Sequence, residues 1–203
     1  MTSTISIRTM QSQIAEYLRL DILSGRLEPG QALREQEISE RFGVSRGPVR
    51  EVFRQLTQQG LLVSEPNKGV RVAQRPSPAM RPLIVELRQT IELFVLDRIF
   101  DQLDEEDFIE LEGILADIKD ACQKGEKAAL VEHDLRFHQA IIQCHGNGDY
   151  FTLWQPIALR MSIHYDRFGD DLMDSYDEHE RILNAIRSGD KAGAMEALRS
   201  NIQ

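Results

Sequence analysis

Two groups of side chains in this sequence have types and spacings suited to chemistry. In Glu132–Ile142, "EHDLRFHQAII", Asp134 and His138 stand four residues apart. On a helix that spacing puts a carboxylate and an imidazole on one face, one turn apart, where both can close on a single metal ion. The same spacing also serves an ordinary surface hydrogen-bonding pair. His179 follows on a later helix whose Ile182, Leu183 and Ile186 mark a buried side. A ligand from a second helix facing the same interior favours the metal. The other group is "FGVSRGPVREVFRQL", Phe42–Leu56, where Arg46, Arg50 and Arg54 stand at successive i+4 steps. Guanidinium forks can meet guanine O6/N7 or phosphate oxygens, or can simply lie solvated on a helix face.

The arginines are carried by a helix from Ser45 to about Gln59, whose Val49, Val52, Phe53 and Leu56 form one apolar stripe. Ser45 suits the N-cap, where its hydroxyl can accept from an early backbone N–H. Pro48 lies in the first turn, where a missing donor costs little. Gly47 has no side chain, so the backbone there can approach another surface closely. A helix N-terminus also attracts anions, and Arg46 adds charge beside it.

Around this helix the pattern predicts an amphipathic helix over Thr9–Ser24 with Ile14, Leu18 and Ile22 buried, and a turn at Leu27–Gly30. It then predicts a short helix over Arg34–Phe42 ended by Gly43, and a hairpin over Leu61–Val72. Together these make a winged helix-turn-helix with Asn67-Lys68-Gly69 at the wing tip. "RPSPAMRP" from Arg75 to Pro82 reads as a stiff linker. Beyond it, helices are expected over Ile84–Gln102, Glu105–Lys124, Lys127–Cys144, Asp149–Phe168, Ser175–Ser188 and Asp190–Gln203. The expected fold is mainly α: residues 1–75 a winged helix-turn-helix, 76–82 a linker, and 83–203 an all-α six-helix antiparallel bundle.

The net charge of −9 argues at first against a polyanion partner, but it is unevenly spread. Residues 1–75 hold 11 Lys+Arg and 8 Asp+Glu, and the remainder 13 and 25. A mildly basic front joined to an acidic back is what is expected if only the front meets nucleic acid. No apolar run is long enough for a membrane span, and the first residues lack a secretion signal's apolar stretch. Cys122 and Cys144 form no disulfide or metal pattern. A cytoplasmic location is therefore expected.

Leu33–Val72, "LREQEISERFGVSRGPVREVFRQLTQQGLLVSEPNKGVRV", resembles the DNA-binding domain of GntR-family bacterial transcriptional regulators. Its Gly-Val-Ser-Arg-x-Pro-Val-Arg-Glu core and Pro-Asn-Lys-Gly wing carry the likeness. The resemblance implies DNA contacts at Arg34, Gln36, Ser45, Arg46, Gly47, Pro48, Arg50 and the wing tip Asn67, Lys68 and Gly69. Gly47 departs from a position that often carries threonine, which leaves only a backbone N–H there. Asp134-x-x-x-His138, Gly146-Asn147, Glu178-His179 with Ile182 and Ala185-Ile186, and Gly189-Asp190 are similar to the FCD effector domain of the FadR-type subfamily, in its shorter, VanR-like branch. That likeness implies a divalent metal, with Zn2+ the expected ion, held by Asp134, His138 and His179. The family's last histidine falls at Asn201, a weaker amide ligand. Arg88 and Arg160 could pair with an anionic effector or with a helix neighbour such as Glu92, and His164 could face the same cavity.

The reading favoured is a ligand-responsive transcriptional regulator: a homodimer on a palindromic DNA operator, modulated by a small organic acid. A helical metalloenzyme is the competing reading. It lacks a placed acid/base carboxylate, because Glu132 and Glu178 adjoin the ligand positions and so point about 100° away. A dimerisation block without ligand is a third.

Overall fold

The computed structural model describes residues 9–66, 68–144, 148–163 and 171–203. Contacts divide the chain into two units, Met1–Arg75 and Pro76–Gln203.

In the first unit, α1 (Met10–Leu23) is opened by Thr9, whose Oγ1 accepts from Ser12 N at 3.2 Å. Its Ile14, Leu18 and Ile22 are fully buried and meet the Val49, Val52, Phe53 and Leu56 stripe of α3 (Arg46–Gln58). Burying each such side chain contributes roughly 1.5–3 kcal/mol. Between them α2 (Glu35–Phe42) ends at Gly43, whose φ of 65° lets the chain turn sharply into α3. Asp21, buried at the end of α1, accepts from Arg26 at 2.6 Å and from Arg41 of α2 at 3.3 Å, tying the two helices together.

The sheet has three strands where the sequence predicted a hairpin. β2 (Leu62–Glu65) and β3 (Gly69–Val72) pair antiparallel, Leu62 opposite Val72 and Glu65 opposite Gly69. The added strand is β1 (Ala32–Leu33), which lies on the other side of β3 in the order β1-β3-β2. Two residues carry no periodicity that could announce a strand. Their pairing is set by tertiary bonds, Gly30 N to Val72 O and Val72 N to Gln31 O, both 2.9 Å.

The second unit starts earlier than the proline-rich composition suggested. A single 3-10 turn covers Pro78–Met80, and α4 (Arg81–Ile99) begins inside the expected linker with Pro82 in its first turn. The N–H groups there have no intrahelical partner, so proline fits without loss. α5 (Glu105–Lys124), α6 (Lys127–Gln143), α7 (Gly148–Ser162), α8 (Met173–Arg187) and α9 (Lys191–Asn201) complete six α-helices among the described residues. α7 closes at Ser162, short of the expected Phe168, and residues 164–170 lie outside the described ones. α5 packs on α6 and α8, α4 on α6, α7 and α9, and α8 on α9. The apolar core between them includes Val95, Leu96, Leu111, Ile118, Leu130, Phe137, Ile142, Trp154 and Ile182.

The start of α5 is closed by a reciprocal cap. The Asp104 carboxylate accepts from Glu106 N and Asp107 N at 2.9 and 3.2 Å, while the Asp107 carboxylate accepts from Asp104 N at 3.0 Å. Asp104→Ala should therefore lower the stability of this unit by about 1 kcal/mol. Urea unfolding followed by circular dichroism would show an earlier helical transition, and an unmoved one would deny the cap that weight.

Candidate metal centre and nucleic-acid interface

One turn of α6 separates Asp134 from His138, and α8 brings His179 against both. Each of the three offers a ligand atom, and these atoms all lie within 4.8 Å of one another. His179 Nε2 is 3.4 Å from Asp134 Oδ1, and the two imidazoles meet edge to face at 5.5 Å between centroids. All three are buried, both histidines completely. Phe137, one residue before His138, turns its ring against both imidazoles.

Both rings are oriented through Nδ1. His179 Nδ1 meets Ser175 O, one turn earlier on its own helix, at 2.7 Å. His138 Nδ1 meets Glu92 Oε2 of α4 at 2.5 Å. Each arrangement leaves Nε2 turned towards the shared centre, the pattern seen where histidines bind metals. His138 Nε2 is buried with no hydrogen-bond partner among the described residues. Two imidazoles and a carboxylate form a donor set suited to a divalent transition metal, and an ion would satisfy that orphan nitrogen. The residues therefore fit a metal.

Glu92 is the site residue that sequence reasoning saw only as a neighbour of Arg88. It is fully buried. Burial raises its pKa, but the Arg88 guanidinium first, and then His138 and Trp154 at its oxygens, outweigh that and lower it to about 2. Of the two roles open to Arg88, the structure contains the pairing with Glu92, at 2.6 Å, with the guanidinium almost wholly out of water. Periodicity puts Glu92 on an inward face, but it cannot say which partners from α6 and α7 wait there.

Asn201 is also fully buried, at the end of α9. Its Nδ2 donates to Glu178 Oε2 at 3.0 Å, and its Oδ1 has no hydrogen-bond partner among the described residues. Glu178 thus acts as an anchor for Asn201. Arg160 is half-buried near the end of α7. His164, Tyr165, His145 and Gly146-Asn147 fall outside the described residues. Cys144 is buried with its thiol pushed up to about 12, by burial first and then by Asp107 and other acidic neighbours, so it packs as an apolar group.

In the first unit, Ser45, Arg46, Gly47 and Arg50 are exposed at the start of α3, with Pro48 half-exposed. Ser45 occupies the N-cap with extended φ and ψ of −71° and 164°, yet its hydroxyl makes no capping bond. That corrects the expected cap. Without that bond the first-turn N–H groups of α3 can meet an external acceptor.

Neighbours hold the exposed cationic and polar side chains in place. Arg46 donates to Gln36 Oε1 at 2.9 Å, Arg34 pairs with Glu37 at 3.2 Å, and Arg54 pairs with Glu51 at 3.0 Å. Lys68, exposed beside Gly69, pairs with Glu65 at 3.0 Å, while Asn67 lies outside the described residues. Arg50 is gripped in bidentate fashion by Glu35, at 3.0 and 2.9 Å. Exposed pairs of this kind are worth little and are easily exchanged for a phosphate.

Residues 10–72 match the family model described as bacterial regulatory proteins, gntR family, and residues 83–203 match that of the FCD domain. The probable D-xylose utilization operon transcriptional repressor of Paenarthrobacter nicotinovorans is 27% identical over 198 residues, covering 96% of this chain and 86% of that protein. The gluconate operon transcriptional repressor of Bacillus subtilis (strain 168) is likewise 27% identical over 198 residues, covering 93% and 80%. The solved structure of E. coli McbR/YncC shares the fold with a TM-score of 0.83 at 22% identity, covering 96% of this chain and 94% of that one.

The Arg50 hydrogen bonds lower the Glu35 pKa from its ordinary value, against a smaller opposing effect of burial. A depressed folded pKa means that the pair stabilises above the unfolded carboxylate range and is lost as pH falls through the folded value. In a 13C titration, Arg50→Met should raise the Glu35 midpoint back towards that of an unpaired glutamate. A wild-type midpoint already at the ordinary value would exclude the pair in solution.

Proposed function

Because the chain belongs to the gntR family of bacterial regulatory proteins and carries an FCD domain over residues 83–203, we propose that it is a ligand-responsive regulator that reads a palindromic DNA operator as a homodimer. The relatives are transcriptional regulators, not enzymes. The observation that carries the reading is the start of α3: exposed, open at its first-turn N–H groups, and ringed by Arg34, Gln36, Arg46 and Arg50. Such an end can enter the major groove, with Arg46 and Arg50 turned from Gln36 and Glu35 to base edges and phosphates. Gly47 and Pro48 let the backbone approach closely, Ser45 supplies a hydroxyl, and the wing at Asn67, Lys68 and Gly69 lies along the backbone.

In the second unit Asp134, His138 and His179 would hold a divalent ion, with Zn2+ the expected one. When bound it supplies open coordination positions for a small organic acid. Asn201 Oδ1 is a further candidate donor, and Arg160 a candidate partner for an effector carboxylate. The names of the xylose and gluconate operon repressors support a catabolic repressor. An effector moves operator occupancy only by its difference in affinity for two arrangements of the protein.

A second copy is supported by an apolar face. Met80, Leu83, Leu87 and Phe94 are exposed at helical spacing along the start and length of α4, and Phe94 meets Tyr150 of α7 edge to face at 5.9 Å. Leu153, 63% exposed, extends that face along α7. Large apolar side chains grouped in this way mark an interaction surface.

On an operator obtained by in vitro selection, Arg46→Ala should lose about 1–3 kcal/mol of discrimination while keeping the helical content. Lys68→Ala should weaken all sequences about equally and reduce the salt slope by about one. Unchanged gel-shift affinity in folded Arg46→Ala would sink the assignment. Leu87→Glu with Phe94→Glu should convert the protein from dimer to monomer in analytical ultracentrifugation and abolish cooperative occupation of both half-sites. A variant that still sediments as a dimer would remove α4 from the interface.

A further inference from the structure

Glu92 is a fully buried carboxylate in the middle of a helical bundle. Burying such a charge is costly unless every acceptor position is used. Here both oxygens are engaged by donors from three helices. Arg88 Nε and Trp154 Nε1 both donate to Oε1, at 2.6 and 2.7 Å. Oε2 faces His138 Nδ1 at 2.5 Å. Arg88 also neutralises the carboxylate, so the group adds no net charge beside Asp134.

The two histidines are therefore held by different means. His179 is oriented by a carbonyl of its own helix. His138 is oriented from α4, by a side chain that is itself fixed from α7. The Glu92 carboxylate is paired with Arg88 and accepts, so the hydrogen between Oε2 and Nδ1 belongs to the imidazole. In the neutral ring Nε2 then carries the lone pair, and it is buried with no hydrogen-bond partner among the described residues.

We infer that Arg88, Glu92 and Trp154 form a positioning clamp that locks His138 in its Nδ1–H tautomer and aims Nε2 at a divalent metal shared with Asp134 and His179. The inference rests on the metal reading above and takes it further. It gives Arg88 a task that needs no effector: loosening the clamp weakens metal binding in the absence of any organic acid. A purely effector-binding arginine would leave metal affinity alone.

The test uses the full-length protein, stripped with chelator and titrated with Co2+ alone against a chromogenic competitor, with the d–d absorption of bound Co2+ recorded. Wild type should take up one ion, and His179→Ala should not. Glu92→Gln and Arg88→Met should bind about 10–100-fold more weakly, with an altered d–d spectrum. Trp154→Phe, which removes one donor and keeps the ring volume closest, should move in the same direction by less and covers the case in which the buried-charge variants fail to fold. A role confined to stability would lower the melting temperature and leave the affinity and spectrum of the bound ion unchanged. Folded Glu92→Gln, or Trp154→Phe if Glu92→Gln does not fold, binding Co2+ within twofold of wild type with the same spectrum overturns the clamp while the metal site stands. Wild type that takes up no ion overturns the metal site and the clamp with it.

Discussion

The hydrogen bond between Glu92 and His138 is the interaction on which the second unit is organised. Six helices with ordinary apolar faces could pack in several ways at similar energy, because hydrophobic burial has no direction. A buried carboxylate does have direction. It requires Arg88 one turn away on α4, Trp154 from α7 and His138 from α6 to arrive together, each with a donor in reach. A packing that left one of them out would strand a charge in the core, which typically costs several kcal/mol. The same bond settles which His138 nitrogen faces Asp134 and His179. Fold and site are thus specified by one polar group, and an error in either would be felt in both.

The first unit uses charge differently. The cations around the start of α3 and the wing are on the surface and are loosely held by an acid or amide close by: Arg50 by Glu35, Arg46 by Gln36, Lys68 by Glu65. Because water screens these pairs they add little stability, but they hold long side chains away from random rotamers at the face where α3 begins. Some ordering entropy is thereby met before any polyanion arrives. Ser45, whose hydroxyl does not close the helix, fits the same pattern of a surface prepared for an acceptor that the chain itself does not supply.

These two uses of charge account for the uneven balance along the chain. In the front, Arg34, Arg46 and Arg50 are exposed around the start of α3. The excess acid of the back is mostly solvated, and the carboxylates that are buried there are individually compensated. Glu92 has Arg88, Trp154 and His138, and Asp134 lies with His138 and His179 in the group that can hold a cation. Net charge by itself would have pointed away from nucleic acid, and only its distribution points back.

Much of this protein could be read before any coordinates. The 3.6-residue period of Val49, Val52, Phe53 and Leu56 determines α3 and which side of it is buried, since a helix side chain's direction follows from its position alone. The Asp134–His138 spacing determines a shared face for the same reason, and the match of Leu33–Val72 to a winged helix-turn-helix rests on local turn chemistry at Gly43, Pro48 and Gly69. The strand β1, the start of α4 at Arg81 and the rotation of the Ser45 hydroxyl were decided elsewhere: by bonds to β3, by the indifference of a first turn to proline, and by a side-chain torsion that local sequence leaves open. Above all, Arg88 could be read with either an effector or Glu92 as partner. The tertiary structure contains the Glu92 pair and joins it to Trp154 and His138, residues 62 and 46 positions away from Glu92 in the chain. Periodicity specifies which way a side chain faces on its own helix, but only packing specifies what it meets.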